Sequence, residues 1–283
     1  MHNCDRELLP TLASLYENHV GKVSDKWRSY LTLYDRELSD LRCDVRSLLE
    51  IGVQNGGSLE IWAKYFPAIQ CIVGCDINPA CRKLTYGDQR ISVIVGDATN
   101  AQTKAFVLAA AAEFDLVFED GSHFPADVIA AFLHYWPHIR AGGAFVAEDL
   151  CCDYFPSHQG GIARKDTATR FFGQLTQVIN HEHWANVTPV HSLFREFNIS
   201  VPINADALCG TIASISFHNS VVIVRKARNI TDTLLGARVV VGEVAVVDDR
   251  VLSIKQSGDS SLLGLHEKTT QPAKVGSFAG LFK

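Results

Sequence analysis

Apolar runs that end in acidic residues, each separated from the next by one helix's worth of sequence, constrain this chain more than any other feature. Two neighbouring runs show it: Phe114-Asp115-Leu116-Val117-Phe118-Glu119-Asp120-Gly121-Ser122-His123 and Gly142-Gly143-Ala144-Phe145-Val146-Ala147-Glu148-Asp149. Strands of a parallel sheet covered on both faces read as near-continuous apolar runs, and a crossover must return the chain between them. Ligands bind such sheets beyond the carboxyl ends of the strands. The pattern therefore predicts Asp120, His123, Glu148 and Asp149 together at that edge. Three carboxylates and an imidazole there suit a hard cation with a base beside it.

The same alternation runs through the middle of the chain. Strands are expected at Ser47–Gly52, Cys71–Asp76, Ile91–Val95, Asp115–Glu119 and Ala144–Glu148. Helices are expected at Ser58–Tyr65, near Pro79–Leu84, at Ala101–Ala112, Ala126–Trp136 and Thr167–Asn180. Apolar strands alternating with helices define an α/β, doubly wound, mostly parallel sheet. Ile212–Phe217 and Ser220–Lys226, separated by His218-Asn219, predict an antiparallel pair at one sheet edge. Before the sheet, Leu12, Leu15 and Tyr16, then Trp27, Tyr30, Leu31, Tyr34 and Leu38, predict N-terminal helices over residues 1–45. The sheet domain is set at 46–228 and a C-terminal extension at 229–283. In that extension Arg238–Val247 is β-prone and predicts a hairpin with Val251–Ile254, and the Gly/Ser/Lys-rich stretch after Ser257 is expected to be loose.

Composition narrows the function classes. With 47% hydrophobic and 20% charged residues, the chain reads as a soluble globular protein with a substantial core. A net charge of −5 argues against a nucleic-acid groove. No apolar segment is long enough to cross a bilayer and no leader pattern opens the chain, so no membrane partner and a cytoplasmic location are expected. None of the eight cysteines forms a C-x-x-C pair, which disfavours a zinc ribbon or redox motif.

The first strand ends in Glu50-Ile51-Gly52-Val53-Gln54-Asn55-Gly56-Gly57-Ser58, a loop whose glycines let the backbone turn and approach a ligand. A dinucleotide fingerprint needs glycine at 54, where this chain has glutamine. The loop therefore suits a ligand held by an amino-acid end and a ribose rather than by a pyrophosphate. Asp76, ending the second strand, can accept hydrogen bonds from ribose hydroxyls. Asp97, ending the third, is placed for an adenine amine, or else caps its own turn.

These segments resemble the S-adenosylmethionine-dependent methyltransferases with a seven-stranded Rossmann-like sheet. More narrowly, they resemble the metal-dependent sugar O-methyltransferases of the mycinamicin and macrocin type. The likeness is carried by Leu49-Glu50-Ile51-Gly52-Val53 with Gly56-Gly57-Ser58-Leu59, Val73-Gly74-Cys75-Asp76-Ile77, Gly96-Asp97, Asp120-Gly121-Ser122-His123, Trp136-Pro137-His138 with Gly142-Gly143, and Glu148-Asp149-Leu150, with an N-terminal echo in Asp25-Lys26 and Tyr34-Asp35. The resemblance implies that Asp120, Glu148 and Asp149 carry Mg²⁺ (or Mn²⁺) and that His123 is the general base. It implies S-adenosylmethionine at Glu50, Gly52, Gln54, Gly56, Ser58, Asp76, Ile77, Asp97, Ala98 and Glu119. It further implies a saccharide or other small-molecule acceptor and a homo-oligomer. The chain departs from the pattern at Glu119, where many relatives carry Asp, and at Cys151-Cys152-Asp153-Tyr154. Tyr154 is the candidate sugar-stacking wall, and the loop Asp153–Asp166 a candidate lid. The competing readings are a catechol-type O-methyltransferase and a non-catalytic cofactor-binding module.

Overall fold

In the computed structural model, the described residues are 9–184 and 188–257, with the side chains of 254–257 excepted. Helices α1 (Leu12–Glu17) and α2 (Arg28–Glu37) precede the sheet domain. There β1 (Ser47–Ile51), α3 (Gly57–Tyr65), β2 (Cys71–Asp76), β3 (Ile91–Val95), α4 (Ala101–Ala110), β4 (Phe114–Glu119), α5 (Pro125–Tyr135) and β5 (Ile139–Ala147) alternate as expected. The stretch at Pro79–Lys83 is a single 3₁₀ turn, opened by Pro79 and capped by Asn78 Oδ1 on Ala80 N. Beyond β5 come α6 (Ala168–Ile179), a short α7 (Ala205–Leu208), β6 (Ile212–His218), β7 (Val221–Lys226) and α8 (Arg250–Ser257).

The seven strands form one sheet in the order β3-β2-β1-β4-β5-β7-β6. β1 to β5 pair in parallel, whereas β7 lies antiparallel between β5 and β6. The turn of that hairpin falls at Asn219-Ser220, one residue later than expected, because His218 pairs with Val221 and Ser220 takes the positive φ of 69°. β5 starts at Ile139 rather than Ala144, and its early part follows a register irregularity opposite Phe114 and Leu116.

Alternate strand residues serve opposite faces, as the period of two requires. Leu49, Ile51, Val73, Cys75 and Val117 pack with α5 and α6, through Phe132, Phe171 and Phe172. Leu48, Ile72, Leu116 and Phe118 pack with the N-terminal helices and α3, through Tyr34, Trp62 and Tyr65. Trp62 stacks on Phe118 at 4.7 Å between ring centres, and Tyr34 meets the same ring edge-on at 5.4 Å. Covering both faces leaves the carboxyl edge of the sheet as the place where polar side chains collect.

The C-terminal expectation fails within the described residues. Residues 237–247 form no strand, and Arg250–Ser257 is helical, so the hairpin with Val251–Ile254 does not exist. Val239, Val241, Val244, Val246 and Val247 are all strongly exposed. A β-prone sequence becomes a strand only where a neighbour takes its backbone hydrogen bonds and its side chains bury, and here neither occurs. The stretch expected to be loose, after Ser257, lies outside the described residues.

Candidate active site

Five strand ends converge through four backbone hydrogen bonds. Gly52 N donates to Cys75 O, Gly96 N to Asp76 O, Asp120 N to Ile51 O and Glu148 N to Glu119 O, all at 2.8–2.9 Å. The loop after β1 takes positive φ at Gly52 (88°), Gln54 (50°) and Gly56 (81°), which brings backbone rather than side chains to its rim. At Gly52 the requirement is absolute, since an added Cβ would lie 1.8 Å from the carbonyl oxygen of Asp120. Asp76 fixes the loop: its Oδ2 accepts from Val53 N and Gln54 N, each at 2.8 Å.

A cavity of about 600 Å³ runs from this loop to the acidic cluster. Gly52, Gln54, Ser58, Asp76, Asp120, His123, Glu148 and Asp149 line it, so the expected residues do meet. Glu50, Gly56, Ile77, Asp97, Ala98, Glu119 and Tyr154 are not in its wall. Glu50 stands directly behind it, accepting from Ser58 Oγ at 2.7 Å and from Trp62 Nε1 at 3.4 Å. Asp97 folds back on its own turn, accepting from Thr99 N at 2.8 Å and Thr99 Oγ1 at 2.7 Å. Ala98 is buried and its carbonyl accepts from Tyr135 OH at 3.0 Å; Ile77 is largely exposed. Tyr154 is half-exposed on the 3₁₀ turn Leu150–Tyr154.

The acidic cluster divides into a wet part and a dry part. Ligand atoms of Asp120, His123 and Asp149 lie within 4.8 Å of one another, a spacing that fits a bound cation. Two of the three offer carboxylate oxygen, which suits Mg²⁺ or Mn²⁺. His123 (φ 58°) and Asp149 (φ 52°) both hold the left-handed backbone that non-glycine residues avoid. Strain of this kind clusters at functional sites. His123 Nε2 is 3.8 Å from Asp149 Oδ2, while its Nδ1 is buried and unpartnered. Glu148 and Glu119, by contrast, are almost fully buried. Burial pushes the Glu119 carboxyl up to about 8, with Asp120 nearby adding to it. Burial likewise raises Glu148, against the pull of a neighbouring ammonium.

That ammonium belongs to Lys26, which was not among the expected site residues. Its Nζ donates to Asp120 Oδ2 at 2.8 Å and to Glu148 Oε2 at 2.7 Å. Burial works against the charged lysine, but the two carboxylates outweigh it and hold the ammonium well above its ordinary range. Next to it, Trp27 Nε1 (3.0 Å) and Tyr30 OH (2.7 Å) both donate to Asp149 Oδ1. The sequence offered one signal for this trio, the Asp25-Lys26 pair in the N-terminal echo. Nothing in its periodicity placed that pair over the site.

Comparison with known proteins agrees with the geometry. Residues 49–150 match a family described as a methyltransferase domain. Over 230 residues the chain is 29% identical to the 8-demethyl-8-alpha-L-rhamnosyl tetracenomycin-C 2'-O-methyltransferase of Streptomyces olivaceus, covering 78% of this chain and 56% of that protein. Over 154 residues it is 34% identical to the mycinamicin VI 2''-O-methyltransferase of Micromonospora griseorubida, covering 52% and 38% respectively. Among solved structures, MycE methyltransferase from the mycinamycin pathway in complex with Mg, SAH and mycinamycin VI superposes with a TM-score of 0.61 at 26% identity, over 78% of this chain and 56% of that one. The chain thus spans little more than half the length of these relatives at most.

Sheet order, strand-end loop and matched segment give residues 49–150 the likeness of a class I S-adenosylmethionine-dependent methyltransferase domain. Over more of the chain the similarity is to the O-methyltransferases just described. No helix among the described residues is long and apolar enough to cross a membrane.

Proposed function

We propose that the chain methylates a hydroxyl of a sugar, using S-adenosylmethionine and a divalent cation, with His123 as the general base. One observation carries this reading: a single cavity joins the glycine loop and Asp76 to Asp120, His123 and Asp149. The loop amides, Ser58 and Asp76 would hold the cofactor, and Asp120 and Asp149, with Glu148 behind them, would hold the cation. The cation, when bound, polarises an acceptor hydroxyl that is otherwise protonated at neutral pH.

The chain's own groups then do the following. The Asp149 carboxylate lies 3.8 Å from Nε2 of His123, near enough to favour a positive charge on that ring though beyond hydrogen-bond reach. As the methyl carbon's bond to sulfur breaks and its bond to oxygen forms, the proton moves to His123, and the Asp149 carboxylate stabilises the imidazolium. Trp27, 62% exposed and in the cavity wall, offers an aromatic face to the sugar, a place expected of Tyr154.

His123 also stands among the possible cation ligands. The two roles separate in one experiment. Methyl transfer to rhamnosides, other glycosides and catechols is measured with and without EDTA, for the parent chain and for His123→Ala, together with Mn²⁺ binding. The base reading expects glycoside turnover that EDTA abolishes, and a His123→Ala protein that binds Mn²⁺ nearly as before yet turns over at least about 10²-fold more slowly. Turnover of catechols alone, or metal-independent turnover, would defeat it.

A further inference from the structure

Lys26 stands inside the site without being one of its expected ligands. It enters from the segment between α1 and α2, and its side chain is only 2% exposed. That segment is tied down on the cofactor side: Gly57 N donates to Val23 O at 3.1 Å, and Lys22 Nζ donates to Glu60 Oε1 at 2.8 Å. An ammonium gives up strong hydration to be buried so deeply, and only close carboxylates can sustain it there. Lys26 meets that condition by taking one oxygen each from Asp120 and Glu148.

The carboxylates are thereby shared out. The group spaced for a cation contains Asp120, His123 and Asp149 but not Glu148, the acid held most closely by Lys26. Three carboxylates and one ammonium leave the charge that a single divalent ion would balance. We propose that Lys26 is a positioning residue that competes with the divalent cation for Asp120 and Glu148, and so sets how tightly this site holds the metal. The inference rests on the metal-assisted reading above. A divalent ion entering beside Asp120 meets a like charge bonded to the same carboxylate. At such short range, in a poorly solvated site, that repulsion is large.

The test is equilibrium binding of Mn²⁺, read from the electron paramagnetic resonance of the free ion, in the presence of S-adenosylhomocysteine. Lys26→Met removes the charge at nearly constant length and is expected to bind Mn²⁺ about tenfold or more tightly. Its Mn²⁺-induced rise in Tm is expected to exceed that of the parent chain, and Lys26→Arg is expected to stay near the parent. Lys26→Gln, neutral but still able to donate hydrogen bonds, is expected to shift affinity in the same direction if methionine prevents folding. Unchanged or weaker Mn²⁺ binding by the neutral variants would overturn the proposal while leaving the metal reading intact. Absence of binding by the parent and by every variant would overturn both.

Discussion

Replacing Gly52 by alanine tests whether the glycine loop and the acidic cluster form one mechanical unit. Gly52 sits at φ 88°, and its missing Cβ would lie 1.8 Å from Asp120 O and 2.5 Å from Asp120 C. Left-handed backbone alone costs an L residue about 1–2 kcal/mol. The obstacle adds more, because it is main chain and cannot rotate away. Asp120 must retreat by more than an ångström from a position fixed by its own N–H to Ile51 O at 2.9 Å. Misplacement of that size in a catalytic group costs about 10²-fold in rate. The backbone term alone corresponds to a fall in Tm of about 2–8 °C for a domain of this size.

Gly56→Ala is the matched control. Its φ of 81° carries a similar backbone cost, but the added methyl meets the hydroxyl tip of Tyr86, a side chain that can swing aside. Both variants should lose stability in differential scanning calorimetry through the backbone cost, Gly52→Ala the more because its obstacle is main chain. Only Gly52→Ala should also lose Mn²⁺ affinity and methyl transfer. Parent-like turnover by Gly52→Ala, or an equal loss of Mn²⁺ binding in both, would refute the coupling.

Asp149→Asn should abolish Mn²⁺ binding yet leave calorimetric affinity for S-adenosylhomocysteine nearly unchanged, since Asp76 and the loop amides stand apart from it; joint loss would contradict that division. Trp27→Ala should raise KM for a glycoside about 5–10-fold, the worth of one aromatic contact, while KM for S-adenosylmethionine stays constant in the same assay. Burial lifts the Glu50 carboxyl from 4.5 to about 7, with Lys26 pulling the other way. The folded state therefore keeps a proton that the unfolded chain releases near pH 4.5, and stability is lost as pH rises between those values. Glu50→Gln should flatten that part of the Tm–pH curve, and an unchanged slope would show that another group sets it.

The central sheet was legible because its strands are buried on both faces and so announce themselves as apolar runs. The same logic brought Asp76, Asp120, Glu148 and Asp149 to one edge, since each closes such a run. Reading failed where a residue's surroundings come from far away in sequence. Asp97 closes a strand too, yet its Oδ1 turns to Thr99, the local cap that was the other reading of this residue. The valines of 238–247 have β propensity but no partner edge. Tyr154 comes soon after the acidic pair, at the end of the 3₁₀ turn Leu150–Tyr154, but it is not in the cavity wall. Lys26 lies 94 residues from Asp120 and 122 from Glu148, a separation no periodicity can bridge.

That distance bears on where the functional unit begins. A boundary at residue 45 follows from the change in sequence texture, but the packing runs straight across it. Tyr34 is fully buried between Trp62 and Phe118, on the same face of the sheet as Leu48 and Ile72. Arg42, also buried, lies over the Tyr65 ring at 4.1 Å and donates to Tyr65 O at 3.1 Å. α2 thus both covers one face of the sheet and carries Tyr30 to the site, with Lys26 and Trp27 just ahead of it. Tyr34→Ala should cost about 3–5 kcal/mol, the usual loss for a large buried aromatic ring, in urea-induced unfolding. A chain beginning at residue 46 should fail to melt cooperatively, because it exposes that whole face. If such a chain instead melted as one unit and bound Mn²⁺ as the full chain does, the N-terminal helices would be an accessory rather than a wall of the site.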